Sequence, residues 1–260
     1  MNSKDYPIGI FDSGVGGLSI LQAIHQYLPA ENLIYVADTK HSPYGNKSQE
    51  IIKTRTLKIA DFLHANHVKA IVVACNTATA AAVSQLRDKY DFPIIGVEPA
   101  LKPASETTKN GRVGVIATQS TLESQKYKTL KENYGQNIKI IEKASPLFVE
   151  LVEDGVTCNQ QQIEAIKNEL TPFKEADIDC LVLGCTHYPF LIESIESVLR
   201  KQIVIFESGI PVAKEVERQL NENLVSSNKE GNINFFSSQP EKAKPIFESL
   251  LNRSILLERF

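Results

Sequence analysis

The sequence predicts an α/β protein made of two similar open α/β units with mostly parallel sheets, its active site in the cleft between them. Three observations carry this expectation. Apolar runs of strand length alternate with stretches of helical periodicity, as they do when a parallel sheet is covered on both faces. The pattern restarts near Glu98. Each half also delivers a cysteine just past an apolar run: Cys75 follows Asp12 by 63 residues, and Cys185 follows Thr118 by 67, a weak internal repeat. The expected domains are residues 1–97 with 208–260, and residues 98–207.

In order, Pro7–Phe11 reads as a strand, and Leu18, Leu21, Ile24 and Leu28 recur at helical spacing up to Pro29. Leu33–Ala37 is a second strand, followed by a polar loop and a helix over about Ser48–Ala65. Ala70–Ala74 is a third strand feeding an alanine-rich helix, Thr79–Tyr90, and Pro93–Val97 a fourth. The second unit has strands at Arg112–Ala117, Ile138–Glu142, Asp179–Gly184 and Ile203–Phe206. Between them lie a helix running to about Tyr134, a segment Phe148–Glu153 and a helix Gln160–Phe173. The tail, Gly209–Phe260, shows two helical stretches around a strand at Asn232–Phe236. It is too short for a third domain and is expected to pack on the first unit.

Composition narrows the function. With 260 residues, 42% hydrophobic and 23% charged, the chain is an ordinary globular one. A net charge of −3 without a dense Lys/Arg run leaves no footprint for nucleic acid. No apolar run approaches the roughly 20 residues that span a bilayer, and Met1–Pro7 lacks a signal-peptide core, so a cytoplasmic protein without membrane contact is expected. Cys75, Cys158, Cys180 and Cys185 form no CxxC pair or metal knuckle, which leaves thiols and predicts no metal. Cys158 and Cys180 read as structural.

The chemistry concentrates at strand ends, where open α/β sheets bind ligands. Leu181–Pro189 (LVLGCTHYP) runs from a buried strand into Cys185, with His187 two residues on and helical spacing after Pro189. A helix amino terminus there would favour the thiolate. A packed core cysteine is the other reading of the same stretch. Asp12-Ser13-Gly14-Val15-Gly16-Gly17 is a tight glycine turn. Ser19 stands where a dinucleotide fingerprint needs its third glycine, so the turn offers an anion-ready helix start rather than a nucleotide site. Asp12 reads either as a cap or as an acid/base or ammonium-binding group. Two cysteines facing each other across a cleft suit inversion at carbon: one thiolate removes a proton while the opposite thiol returns one. Ser13, Asn76, Thr77, Thr118, Thr121 and Thr186 supply polar donors, and no lysine is set for a pyridoxal Schiff base.

Four motifs, IGIFDSGVGGLSIL at 8–21, YVADTKHSPYG at 35–45, VVACNTATA at 72–80 and LVLGCTHYP at 181–189, make the chain resemble the glutamate racemases. The resemblance spans nearly the whole chain. It implies cofactor-independent racemisation of glutamate, a small-molecule substrate, supplying D-glutamate for peptidoglycan, by an enzyme that is commonly a homodimer of two-domain chains. It implies Cys75 and Cys185 as the catalytic acid/bases, assisted by Asp12 and His187, with Glu153 holding the histidine. Substrate contacts implied are Asp12, Ser13, Pro43, Tyr44, Gly45, Asn76, Thr77, Thr118, Thr186 and His187. Two departures stand out: Glu150 replaces the proline of an LVPLVE pattern, and Glu207-Ser208-Gly209 replaces DSG or DSA. The chain also lacks the amino-terminal extension of members activated by a peptidoglycan precursor, so that control is not expected. Three rivals remain: an aspartate racemase, a Cys/His hydrolase with Cys185 as nucleophile, and a non-catalytic two-lobed amino-acid-binding protein.

Overall fold

The computed structural model describes residues 3–156, 159–199, 203–225, 227 and 229–260. Cys158, read above as structural, lies outside them. Strands and helices alternate through both halves. The first holds β1 (Ile8–Asp12), α1 (Leu18–Tyr27), β2 (Leu33–Ala37), α2 (Gln49–Ala65), β3 (Ala70–Val73), α3 (Asn76–Lys89) and β4 (Ile94–Gly96); α4 (Leu101–Thr107) follows and packs with the second sheet. Next come β5 (Arg112–Ala117), α5 (Gln119–Glu123), α6 (Gln125–Tyr134), β6 (Lys139–Ala144), α7 (Pro146–Glu153), α8 (Gln160–Glu175), β7 (Cys180–Gly184), α9 (Ile192–Val198) and β8 (Val204–Phe206). The tail contributes α10 (Gly209–Leu220), β9 (Ile233–Ser237), α11 (Pro240–Leu251) and β10 (Leu257–Arg259).

Two wholly parallel sheets result, ordered β10-β9-β2-β1-β3-β4 and β6-β5-β7-β8. Within each half the order is the same: second strand, first, third, fourth. The first and third strands are therefore neighbours in both sheets, and the chain departs from them in opposite lateral directions. Such a switch point opens a crevice at the strands' carboxyl ends. Asp12 and Cys75 stand at that crevice in one sheet, Thr118 and Cys185 in the other.

Burial on both faces explains the continuous apolar strands: β1, β2, β3 and β7 are buried at every residue, β5 at all but Arg112. The tail strand β9 pairs with β2 in the register Leu33↔Ile233 to Ala37↔Ser237, and β10 extends that edge. No helix among the described residues is long and apolar enough to cross a membrane.

Several elements differ from the periodicity reading. The segment 148–153 is part of a helix, α7, because Ser145 accepts the Phe148 N–H at 3.4 Å and Pro146 suits the first turn. The helix expected up to Tyr134 is broken at Ser124, whose hydroxyl caps α6 through the Tyr127 N–H at 3.2 Å. Helix α3 starts at Asn76 rather than Thr79. Neither α4 nor β10 was anticipated: α4 (LKPASET) buries only Leu101 and Ala104, and β10 buries only Leu257.

Candidate active site

A small cavity, about 20 Å³ in volume, lies between the two switch points. Its walls include Cys75, Asn76 and Thr77 from the start of α3, Ser13 after β1, and Cys185, Thr186 and His187 after β7. Pro43, Tyr44 and Gly45 close it from the loop after β2, and Thr118 and Val149 from the second sheet's side. Asp12 and Glu153 stand one contact behind the wall. Of the residues singled out in the sequence, the two cysteines thus share one cavity although 110 residues separate them. Val149 was missed, since an apolar helix residue gives no signal of lining a site.

Cys185 leads a hydrogen-bonded chain. Its sulfur is 3.6 Å from His187 Nδ1, and His187 Nε2 is 2.8 Å from Glu153 Oε1. The same carboxylate oxygen accepts the Val15 N–H at 3.1 Å and the Ser42 O–H at 2.9 Å. Burial alone would raise the Glu153 pKa, but His187, Val15 and Ser42 outweigh it and hold the carboxyl below its ordinary value. An ionised carboxylate only accepts, so Nε2 carries a proton and Nδ1 faces the sulfur. Burial opposes charge on His187, yet the Cys185 sulfur and Glu153 together hold it well above the usual imidazole range. Tyr188 fixes the turn: its hydroxyl donates to the Ser145 carbonyl at 2.8 Å and its ring packs edge-on to Phe148.

Cys75 is poised differently. Burial, and then the charge of Asp12, push its thiol up to about 12. The Ala78 N–H donates to its sulfur at 3.5 Å and the thiol lies 3.7 Å from Ser13 Oγ. The helix amino terminus expected beside Cys185 is found here instead. After Cys185 the chain spends its residues on a tight turn, Tyr188 N–H to the Cys185 carbonyl at 3.2 Å and Phe190 N–H to His187 at 3.2 Å, so α9 begins only at Ile192. Cys75 directly caps α3.

Asp12 is wholly buried. It accepts the Gly14 N–H at 2.9 Å and the Thr186 O–H at 3.1 Å, and burial raises its pKa. The helix-cap reading of Asp12 is not met: Gly17 is the cap residue of α1 and takes no side-chain bond, while the Asp12 carboxylate is spent on the Gly14 N–H and on Thr186. The glycine loop serves the histidine rather than a phosphate: a Cβ at Gly14 would fall 1.8 Å from Glu153 Oε1, and one at Gly16 2.1 Å from His187 Nδ1.

Other contacts bind the two halves across the cleft. Thr77 and Thr118 hydroxyls meet at 3.1 Å, and Ser19 donates to the Thr186 carbonyl at 2.8 Å. The loop bearing Pro43–Gly45 is rooted at Asp38, also wholly buried, which takes two bonds from Arg55 at 2.8 Å, one from the Tyr44 hydroxyl at 2.7 Å and one from His41 Nδ1 at 2.9 Å. Tyr44 thus lines the cavity with its hydroxyl turned away. Arg55 gave no signal in sequence because it sits nearly two helix turns into α2, outside any motif. Glu150 is exposed on a continuous α7, and Glu207 accepts the Gly209 N–H at the start of α10. Both departures are accommodated outside the cavity wall.

Among the described residues the cavity wall includes no lysine or arginine. Besides His187 and the two thiols it offers hydroxyls and amides, and Asn76 Nδ2 is buried without a partner, a donor open to a ligand oxygen.

Residues 8–215 match the family model for Asp/Glu/Hydantoin racemase. A glutamate racemase of Clostridium botulinum (strain Alaska E43 / Type E3) is 42% identical over 258 residues, covering 98% of this chain and 100% of that one. Among solved structures, Escherichia coli glutamate racemase in complex with L-glutamate and the activator UDP-MurNAc-ala superposes with a TM-score of 0.88 at 33% identity, over 98% of each chain. The Francisella tularensis subsp. tularensis SCHU S4 enzyme in complex with D-glutamate gives 0.84 at 31% identity, over 98% of this chain and 97% of that one.

Proposed function

The chain belongs to the Asp/Glu/hydantoin racemase family, and from that premise we propose that it interconverts L- and D-glutamate by proton transfer at Cα between two thiols, without a cofactor. One observation carries the reading: Cys75 and Cys185, each past the third strand of its own sheet, line a single cavity. Relatives that hold L-glutamate in one case and D-glutamate in another support the substrate.

The steps balance without an oxidant or reductant. A thiolate on one face takes the Cα proton and becomes a thiol, leaving a carbanion. The opposite thiol delivers its proton to the other face and becomes a thiolate. On the second sheet's side the acid/base is the Cys185–His187 pair rather than sulfur alone, with Glu153 fixing the imidazole. On the first, the Cys75 thiol is held protonated until a substrate ammonium offsets the charge of Asp12, when the amides of α3 favour its thiolate. Ser13, Asn76, Thr77, Thr118 and Thr186 bind the two carboxylates, assisted by Tyr44, Gly45 and Pro43. Donors held in place around the cavity also stabilise the charge that develops at Cα. We further assign residues 1–97 with 208–260 and residues 98–207 as the two domains, a cytoplasmic homodimer as the working form, and D-glutamate for peptidoglycan as its product.

The test is incubation with L-glutamate in D2O and no added cofactor. Optical rotation should decay to zero while deuterium enters at Cα. No exchange, or exchange only after pyridoxal phosphate is added, would overturn the proposal. Cys75→Ser and Cys185→Ser should each abolish racemisation; a Cys/His hydrolase would lose activity only with Cys185.

A further inference from the structure

The position of Glu153 poses a physical problem. It is the last residue of α7, where the helix carbonyls disfavour negative charge, and its long side chain has several rotamers to choose from. Yet Oε1 must stay in line with His187 Nε2. Among the described residues the second half supplies no donor that does this apart from the histidine itself. Both other donors come across the cleft from the first half: the Val15 N–H, and the hydroxyl of Ser42 at 2.9 Å.

We propose that Ser42 is a positioning residue for the acid/base on the second sheet, its hydroxyl holding Glu153 Oε1 against His187 Nε2 when the two halves are closed. The inference rests on the two-thiol reading and deepens it. Ser42 is itself held in place. Its loop is anchored at Asp38 by Arg55, Tyr44 and His41, so the hydroxyl is delivered ready-oriented. It lies outside the cavity wall that Pro43, Tyr44 and Gly45 help to form, so it acts through Glu153 and not on substrate. The charged and titratable groups facing Glu153 are His187, Asp12, Tyr35 and, beyond the imidazole, Cys185. Among these only His187 carries positive charge, so each neutral donor to Oε1 matters to keeping the carboxylate ionised.

The test is Ser42→Ala, measured as racemisation of L-glutamate across pH. Loss of one hydrogen bond to a charged group should lower kcat about tenfold, with KM within about twofold because no substrate contact is lost. The sign of the pH effect follows from the bond favouring the ionised carboxylate: without it Glu153 protonates at higher pH, so the acidic limb of kcat moves upward. Ser42→Thr keeps a hydroxyl and should restore both kcat and the limb. In a Glu153→Gln background Ser42→Ala should add no comparable loss. A wild-type kcat and profile for Ser42→Ala, an effect confined to KM, or an equal loss in the Glu153→Gln background would overturn the inference. Cys185→Ser run alongside separates the two levels. If it is dead and Ser42→Ala is unchanged, this inference falls alone; if it keeps turnover, the two-thiol reading falls with it.

Discussion

Gly16→Ala adds one methyl group to a loop residue that is not part of the cavity wall, yet it should be among the most damaging single changes in the protein. An added Cβ would sit 2.1 Å from His187 Nδ1, 2.5 Å from Cε1 and 2.6 Å from Cγ. The imidazole is the obstacle, and it is tied by Glu153 at 2.8 Å and by Cys185 at 3.6 Å. To regain ordinary contact the ring must withdraw by about 1 Å, a displacement that costs on the order of 100-fold in rate when it moves a catalytic group. Overpacking of this kind also costs about 1–3 kcal/mol of stability. The assay is the rate of Cα deuterium uptake by NMR, with urea unfolding of the same sample to show that the variant is folded. His187→Ala introduced on top of Gly16→Ala should cost little more. If folded Gly16→Ala exchanges within about threefold of wild type, His187 either does not take part or has room that the structure does not show.

Arg55→Met should destabilise the protein by about 3 kcal/mol at neutral pH, because it strands a wholly buried carboxylate. Burial works against the charge of Asp38, but Arg55, Tyr44 and His41 outweigh it and lower its pKa. The pair's contribution is therefore fully present above the ordinary carboxylate value near 4 and is lost as pH falls through the lower value of the folded protein, so wild type and variant should converge in urea unfolding only below about pH 4. An equal gap at both pH values would show that the arginine acts by packing. Asp12→Asn should speed alkylation of Cys75 by iodoacetamide at about pH 9, followed by peptide mass analysis, since it removes the negative neighbour that helps hold the thiol up. An unchanged rate would leave burial as the whole cause.

How much was legible in sequence divides along physical lines. Strands such as Leu33–Ala37 and Arg112–Ala117 were found at their observed bounds because burial on both faces leaves an unbroken local apolar run. Cys75 and Cys185 were visible because each ends such a run. Their shared cavity is a property of strand order, which only the 63- and 67-residue repeat hinted at. Asp38 and Arg55 stand 17 residues apart, and Ser42 and Glu153 stand 111 apart, so no local pattern links either pair. The reassignment of the helix start from Cys185 to Cys75 turned on whether a tight turn intervenes, which periodicity after Pro189 does not encode. Gly14 and Gly16 were noticed for resembling a phosphate loop. Their reason for being glycine was the closeness of Glu153 and His187 from the far half of the chain.

The pairing of β2 with β9 has a consequence in time. Ile34 and Tyr35 sit in the middle of the first sheet, yet the strand beside them begins some 200 residues later. At roughly 5–20 residues per second, a ribosome needs about 10–40 s to make the intervening chain. For that interval β2 is a bare parallel edge, the kind of surface that invites pairing with the wrong neighbour. The half that carries Cys75 is begun first and finished last, its β9 and β10 made only after every strand of the second sheet.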